Sequence, residues 1–469
     1  MSLKFFNTLT HSLEEFRPLD PAGRHVGLYT CGPTVYDFAH IGNFRAFTFE
    51  DLARRYLAYR GYDVVHVMNI TDVEDKIIRK VRETGEPLAQ LTGRYTAAFL
   101  ADCRALNLLP PHHVPRATGH IPEMLALIGA LMDKGVAYQA PDKSVYFSIA
   151  KFARYGQLKK IDASQMRPGE RVKLDEYEKE SLGDFALWKA WDPTDGDIGW
   201  DSPWGRGRPG WHIECSAMST KYLGESFDLH CGGEDLVFPH HEDEIAQSEA
   251  ASGKQFVRVW LHCAYLLVNG QKMSKRFGNF FTLRDLLAKG FTGRELRYTL
   301  IAEHYRRQLN FTFEGVEAAR ASLARMDEFL VKLREVAGST GIPAGGISPT
   351  AAAVQKDFEA ALDDDLNISS ALGVLFNFIR DTNKRLAENA VTAAEAAAIF
   401  ETWRRFDTVL GFGMPQAQEA SADVAALADQ RQAARKAKDF KRADQIRDEL
   451  KAKGWVIEDT PKGPKLKKL

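Results

Sequence analysis

A β-rich run, VGLYT at residues 26–30, breaks at Gly32-Pro33, and apolar positions Phe44, Phe47, Leu52, Tyr56 and Tyr59 then recur at helical spacing from Ile41 to Tyr59. Gly61 stands where such a helix would stop, and DVVHVMNI at 63–70 is a second strand candidate. Strand, loop, helix and strand in that order leave few options. Strands joined through a helix run parallel, the crossover is right-handed, and the loop after the first strand lies at the carboxyl edge of the sheet, where ligands are held. The chain is expected to be α/β.

At 469 residues it is long enough for about three domains. Apolar residues at 45% and charged residues at 27% exclude a disordered or collagen-like chain, and five scattered cysteines without a CxxC pair make a disulfide scaffold unexpected. The first residues mix Lys4, His11, Glu14 and Glu15 into apolar positions, unlike a signal peptide, and no uncharged apolar run reaches the roughly 18 residues of a membrane span. A cytoplasmic protein is expected. Lys plus Arg number 62 against 63 Asp plus Glu, so a nucleic-acid clamp over the whole surface is not; the basic surplus sits in residues 431–469, with 13 basic and 6 acidic residues.

Residues 119–183 read as an insertion with short helices, a strand at 144–149 and a polar stretch at 167–180. Residues 225–250 return to a strand, a Gly-rich turn and a helix, and 256–282 hold a hairpin turning at Asn269-Gly270. Beyond Thr282 the pattern is helical, with a linker at 338–350, a break at 411–421 and a tail helix at 433–453. The expected divisions are 1–118 and 184–262 for an interrupted α/β domain, 119–183 for the insertion, 263–318 for the hairpin region, 319–412 for a helical bundle and 422–469 for a basic tail.

Three segments could carry chemistry. In PTVYDFAHIGN at 33–43 a helix N-terminus presents N–H groups and a positive dipole end, Gly42 admits a ligand to the backbone, and His40 and Asn43 add donors, a set that suits phosphate. Taken alone, it reads first as a capped helix with a surface histidine. In QKMSKRFG at 271–278, Lys272, Lys275 and Arg276 are either a solvated face or a neutraliser of triphosphate charge in a transition state. In FPHHEDEIA at 238–246, Pro239 suits a first helical position and puts His240 and Glu244 on one face, half of a zinc site or a surface pair. The missing ligands would have to be thiolates. Cys31 ends the first strand and Cys215 lies in PGWHIECSAM at 209–218, but spacing cannot unite residues spread over roughly two hundred positions, and either cysteine alone reads as a small buried hydrophobe.

Together these segments resemble the cysteinyl-tRNA synthetases, a family of class I aminoacyl-tRNA synthetases, along nearly the whole chain. The resemblance is carried by PTVYDFAHIGN, by NITDVEDK at 69–76, GRPGWHIECSAM at 207–218, FDLHCGGEDLVFPHHEDEIAQS at 227–248 and QKMSKRFGNFFT at 271–282, and by ALDDDLN at 361–367 and RKAKDFKRAD at 435–444. The first and fifth of these correspond to the class-wide HIGH and KMSKS elements; the third and fourth are specific to cysteine. The resemblance implies a Rossmann-like catalytic domain with an insertion, then a mostly α-helical anticodon-binding bundle and a small α+β tail.

By that resemblance Cys31, Cys215, His240 and Glu244 hold one zinc ion in the amino-acid pocket, with His241 pointing elsewhere. The substrate thiolate joins them, and sulfur binds zinc so much better than the hydroxyl of serine that no hydrolytic sieve is required. Tyr36, Thr71, Trp211 and Asp235 line the pocket. His40, Gly42, Asn43, Gly232, Gly233 and Lys275 bind ATP with its Mg2+, and His40, Asn43, Lys272 and Lys275 are catalytic. The partners implied are ATP, L-cysteine and tRNA(Cys), the protein being a monomer. Arg435, Lys438, Lys441, Arg442 and Arg447 on the tail helix either meet tRNA phosphates or face solvent. Three positions depart from the family pattern: Asn43 and Arg276 end the HIGH-like and KMSKS-like elements where His and Ser are usual, and Cys231 stands where glycine is expected. Two rivals are a mycothiol-pathway ligase, which activates cysteine identically but lacks the bundle and tail, and a non-catalytic tRNA-binding paralogue, in which the lysines and ligands would erode. ALDDDLN and residues 422–469 favour tRNA over the first, and Lys272, Lys275, His40 and the four ligands favour an enzyme over the second.

Overall fold

A computed structural model describes residues 2–161, 171–172, 183–338, 349–415, 421–460 and 463–468. They fall into two compact units, Met1–Gly413 and Met414–Leu469. The first opens with a hairpin of β1 (Lys4–Asn7) and β2 (Ser12–Glu15), then runs through β3 (His25–Thr30), α1 (Ile41–Tyr59) and β4 (Asp63–Met68), with β3 and β4 parallel as expected. α1 closes at Gly61, whose φ of +90° suits glycine and whose N–H donates to the Ala58 carbonyl. Its apolar stripe is only part of the buried surface. Phe44, Phe47, Leu52 and Tyr56 are buried and Tyr59 half-buried, but Arg45, Glu50, Asp51 and Arg55 are buried too, because α1 is covered on more than one face.

After α2 (Asp75–Thr84), α3 (Leu88–Ala105) and α4 (Ile121–Asp133) comes a second sheet of β5 (Ala137–Gln139), β6 (Val145–Phe147), β7 (Arg171–Val172), β8 (Asp184–Ala190) and β9 (Gly207–Pro209). β6 is shorter than the strand expected at 144–149, and the polar stretch at 167–180 lies outside the described residues except for β7. This sheet continues past residue 183. Six of the seven residues of β8 are buried, and the strand satisfies its backbone against β6, β7 and β9.

The main sheet resumes after α5 (Trp211–Leu223) with β10 (Phe227–Gly233), α6 (Glu242–Ser252) and β11 (Val257–Cys263). Its strands are all parallel in the order β11-β10-β3-β4, so the crossovers from β3 and β10 leave in opposite directions. Thr30 pairs with Cys231, so Cys31 and Gly232 follow side by side at the switch point, where such sheets open a ligand crevice. Ahead of α6 the chain kinks at Phe238, which is extended (φ −143°, ψ 134°) and is the one residue of Val237–His241 outside helical angles, so helical backbone resumes at Pro239, as expected, and runs on into α6.

β12 (Leu266–Val268) and β13 (Gln271–Lys272) form the expected hairpin, with Asn269 at φ +51° and Gly270 at +75° in the turn; β12 also pairs with β14 (Leu309–Phe311). The remainder of this unit is helical: α7 (Leu283–Ala288), α8 (Gly293–Ile301), α9 (Phe313–Ala337), α10 (Pro349–Asp363), α11 (Ile368–Ala387) and α12 (Ala393–Leu410). Of the expected linker and break, residues 339–348 and 416–420 lie outside the described residues.

Buried charge ties these helices to α1. Arg297 of α8, fully buried, sits 2.6 Å from Asp51 and donates to the carbonyls of Leu410 and Leu106, while Arg55 reaches Asp51 at 2.7 Å. Burial raises the Asp51 carboxyl, but Arg297 and Arg55 outweigh it and hold it below its usual value. Asp363 accepts from Tyr56 of α1 and from Arg60, which caps it, and Asp365 from the Phe6 N–H, Tyr305 and Arg306. The ALDDDLN motif is therefore a structural hinge pin between helices and sheet. Within the sheet, His66 of β4 is buried with Nε2 2.9 Å from the Thr30 hydroxyl, and burial, assisted by Arg54, pushes its imidazole down to about 3.

The second unit packs α13 (Ala422–Lys436), α14 (Phe440–Ala452) and the antiparallel pair β15 (Trp455–Thr460) and β16 (Gly463–Lys468) around Val424, Ile446, Leu450 and Trp455. The single tail helix expected at 433–453 is thus two. Lys438 takes φ +61° and Asp439 caps α14 by accepting from the Arg442 N–H, so Arg435 and the cations of α14 do not share a helix face.

Replacing Arg297 by Leu should destabilise the larger unit by about 3–5 kcal/mol in urea unfolding, because it removes one of the two cations that compensate buried Asp51 and frees the Leu410 and Leu106 carbonyls. Between about pH 3 and the ordinary imidazole value near 6.5, the unfolded chain binds a proton that folded His66 refuses. Stability is therefore complete above this window and falls on acidification through it. His66→Gln should make that dependence shallower by about 1.4 kcal/mol per pH unit, measured by unfolding at stepped pH.

Candidate active site

At the switch point five donors converge: Cys31 after β3, Cys215 on α5, His240 and His241 just after the kink at Phe238, and Glu244 in the first turn of α6, all buried. Cys31 Sγ lies 3.9 Å from Cys215 Sγ, 3.5 Å from His240 Nε2, 3.4 Å from His241 Nε2 and 3.7 Å from Glu244 Oε1. His240 Nε2 is 3.0 Å from Glu244 Oε1. The four donors expected from the sequence come together, and His241, expected to point elsewhere, joins them: the ligand atoms of Cys31, His240, His241 and Glu244 all lie within 4.8 Å of one another. Both histidines follow the kink at Phe238, and both rings reach the Cys31 thiol. A buried cluster of thiol, imidazole and carboxylate fits a metal site.

Burial opposes charge throughout the cluster; neighbours override it at His240, Glu244 and Cys215 but not at Cys31 or His241. His240 is pushed up to about 10 by Glu244 and Cys215, and Glu244 is drawn down to about 2 by His230 and His240. Cys215 falls to about 6 under a hydrogen bond from Cys31 and the charge of His240, while burial and Cys215 leave the Cys31 thiol well above its usual value. Around them a second layer holds the rings. His230 Nε2 lies 3.0 Å from Glu244 Oε2, and His212 Nδ1 lies 2.8 Å from His240 Nδ1. Asp243 meets His212 at 3.3 Å and accepts from Tyr155 at 2.6 Å. His241 Nδ1 is 2.8 Å from His262 Nε2, whose Nδ1 is 2.7 Å from the Thr8 hydroxyl. Such outer partners orient ligands. His212, Asp243, Tyr155 and His262 were not legible as site residues; the only hint is the density of histidines in the two cysteine-specific motifs.

The pocket residues are placed unevenly. Trp211 stacks on His240 with ring centroids 4.2 Å apart, and Thr71, buried, lies against Glu214 beside Cys215. Tyr36 is half-buried under the Lys76 ammonium at 5.4 Å. Asp235 is exposed in a short turn after β10, and a Cβ on Gly233 would come within 2.4 Å of its carboxylate. A Cβ on Gly232 would come within 2.8 Å of the His241 ring, so this glycine makes room for an imidazole. Cys231 is buried on β10 with its thiol pushed well up by burial, and lies outside the cluster.

At the start of α1, His40 Nδ1 accepts from the Asn43 N–H and Asn43 Oδ1 accepts from the His40 N–H, both at 3.1 Å. A neutral His40 ring therefore carries its proton on Nε2. The open helix terminus expected here is partly closed: Ile41 N–H donates to the Phe281 carbonyl at 3.0 Å. Met273 rests over Gly42, where a Cβ would approach its Cε to 2.9 Å, so the 33–43 and 271–278 segments touch. Lys272 is exposed on β13, its ammonium 6.0 Å from the Tyr265 ring, and Lys275 lies in the one-turn helix Lys275–Phe277.

The family of class I tRNA synthetase (C) catalytic domains matches residues 17–321, the DALR domain matches 357–414, and the cysteinyl-tRNA ligase anticodon binding domain matches 417–464. A cysteine–tRNA ligase of Chlamydia muridarum is 48% identical, the alignment covering 100% of both chains. The chain belongs to the cysteine–tRNA ligase family. A family member from Protochlamydia amoebophila is 46% identical over 99% of this chain and 98% of its own. The fold is shared more widely: Mycobacterium tuberculosis methionyl-tRNA synthetase bound to methionyl-adenylate superposes with a TM-score of 0.61 at 16% identity, covering 82% of this chain and 89% of that one. The Agrobacterium radiobacter K84 agnB2 LeuRS in complex with tRNA and LeuAMS gives 0.59 at 11% identity, covering 85% of each. Among the described residues no helix is long and apolar enough to cross a membrane.

Two substitutions separate the candidate donors. Cys215→Ser should lower metal retention against a chelator by at least tenfold, and His241→Ala should leave the stoichiometry intact; elemental analysis of both variants reads the result.

Proposed function

We propose that the protein activates L-cysteine with Mg2+·ATP and transfers it to the 3′ end of tRNA(Cys), one zinc ion being held by Cys31, Cys215, His240 and Glu244. The observation that carries this reading is the spacing of the donors. Two thiolates about 2.3 Å from one zinc ion at a tetrahedral angle stand about 3.8 Å apart, and a thiolate and an imidazole about 3.5 Å apart. The corresponding separations here are 3.9 and 3.5 Å. When bound, zinc supplies a soft Lewis acid that favours the sulfur of cysteine over the oxygen of serine.

The chain's own residues do the rest. Trp211 and Thr71 close the pocket around the amino acid, with Tyr36 and Asp235 at its mouth. His40 through Nε2, Asn43 through its amide and the backbone at Gly42 face the phosphates from one side. Lys272 and Lys275 neutralise them from the other, with Gly232 and Gly233 beside the ribose. The carboxylate of cysteine is already ionised and attacks the α-phosphate without a general base. Electrostatic stabilisation and positioning then carry the step, and the terminal ribose hydroxyl of tRNA accepts the amino acid from the adenylate. The DALR and anticodon-binding regions, with Arg435, Lys438, Lys441, Arg442 and Arg447, take the rest of the tRNA. A mycothiol-type ligase has no use for them. The protein works in the cytoplasm as a monomer.

Zinc-replete protein should catalyse ATP–pyrophosphate exchange that depends on cysteine and not on serine, and should aminoacylate tRNA but not an amino sugar. Lys275→Ala should slow adenylate formation at least a hundredfold in single turnover with zinc content unchanged. Absence of exchange, or transfer to the sugar alone, would overturn the reading.

A further inference from the structure

A phenol sealed in a protein core ordinarily finds a partner for its hydroxyl, because burying an O–H that bonds to nothing forfeits its hydration without return. Tyr29 of β3 breaks that rule. Its side chain is wholly buried, and among the described residues its hydroxyl makes no hydrogen bond. The chemistry proposed for the pocket does not use it.

The strand decides where this hydroxyl stands. Tyr29 and Cys31 are two residues apart, so alternation sends both side chains to one face of the sheet, and Thr30, bonded to His66, marks the other. On the Tyr29 face lies α5: Tyr29, Cys31, Ile213, Cys215 and Ala217 share one core. A tyrosine reaches much farther from its backbone than a cysteine does, so its hydroxyl rises past Cys31 toward the helix that carries Cys215. The ring is held there by His230, edge-on with centroids 5.1 Å apart, and by Phe227 at 6.3 Å. His230 is in turn fixed by Glu244 at 3.0 Å. Burial first, then Cys215, Cys31 and Glu244, push the phenol well above its ordinary value, so it faces the cluster as a neutral donor.

A donor needs an acceptor, and zinc makes one, because it binds cysteine as the thiolate. Two thiolates and a carboxylate set three negative charges against the two positive charges of the ion, and a substrate thiolate adds a fourth, all in a buried site. His230 meets the Glu244 carboxylate; Tyr29 stands beside the thiolates with its proton uncommitted. We propose that Tyr29 is a positioning residue whose hydroxyl donates to the Cys215 thiolate of the zinc-loaded site. Charge drawn from that sulfur is not pushed onto the metal, so zinc stays electrophilic enough to take the thiolate of a substrate as a further ligand. A phenylalanine at this position would keep the packing and lose that control. The inference rests on the proposed zinc site.

Cobalt(II) in place of zinc reports on the sulfur directly, because thiolate-to-cobalt charge transfer absorbs in the near ultraviolet and moves with the energy of the sulfur lone pairs. In the full-length protein loaded with one cobalt per chain, Tyr29→Phe should move this band to longer wavelength. Replacing Tyr29 with 3-fluorotyrosine, a stronger donor, should move it to shorter wavelength and carries the test should the phenylalanine variant not fold. With zinc, Tyr29→Phe should weaken cysteine binding about tenfold by calorimetry, with zinc stoichiometry unchanged and ATP binding within twofold. A band that ignores both changes, or moves the same way with both, would overturn the inference, and so would unchanged cysteine binding in Tyr29→Phe. In each of these cases cysteine-dependent exchange by the zinc-replete wild type leaves the proposed function standing. A wild-type cobalt protein without any thiolate-to-cobalt band would overturn the proposed zinc site and the inference with it.

Discussion

The pairing of β3 with β10 is the contact on which the site depends. These strands lie some two hundred residues apart in the chain, yet Thr30 sits opposite Cys231 in a parallel register. That register brings Cys31 to the edge at which α6 and its preceding turn deliver His240, His241 and Glu244. A one-residue slip would send Cys31 to the other face of the sheet and dissolve the cluster. The pairing cannot come from a hairpin, since parallel strands need crossovers, and the second sheet is inserted within the long connection between the two halves.

Charge that must be buried is handled in the same way at both ends of α1. At the amino end the sheet edge carries His240, Glu244 and Cys215, whose neighbours outweigh the cost of burial. Farther along, Asp51 is held between Arg55 and Arg297, and Asp363 between Tyr56 and Arg60. One group fits a metal site and the other joins helices to sheet, but an unpaired member would be costly in either place. This explains why α1 looks only moderately amphipathic in sequence: its charged residues are interior ones with partners on distant elements.

Much of the architecture was readable from residues alone. The β3–α1–β4 unit, the Asn269-Gly270 hairpin and the helical second half follow from periodicity and turn chemistry, which act over a few positions. The readings that failed did so where local rules gave way. Pro239 does resume helical backbone after the kink at Phe238, but His241, expected to point elsewhere, reaches the cluster beside His240. The cations of the tail look like one amphipathic helix until Lys438 and Asp439 divide it. β8 and β9, which the sequence reading did not single out as strands, complete the smaller sheet.

The sequence by itself determined the kind of fold, the family, and the residue types able to hold a soft metal, because motif and periodicity are properties of neighbouring positions. Only the tertiary structure decided that both adjacent histidines reach the cluster, which way the Asn69 amide turns, and where the Thr71 hydroxyl sends its proton. Those depend on donors and acceptors supplied by segments far apart in the chain, and a hydrogen bond has a direction only once both of its ends are in place.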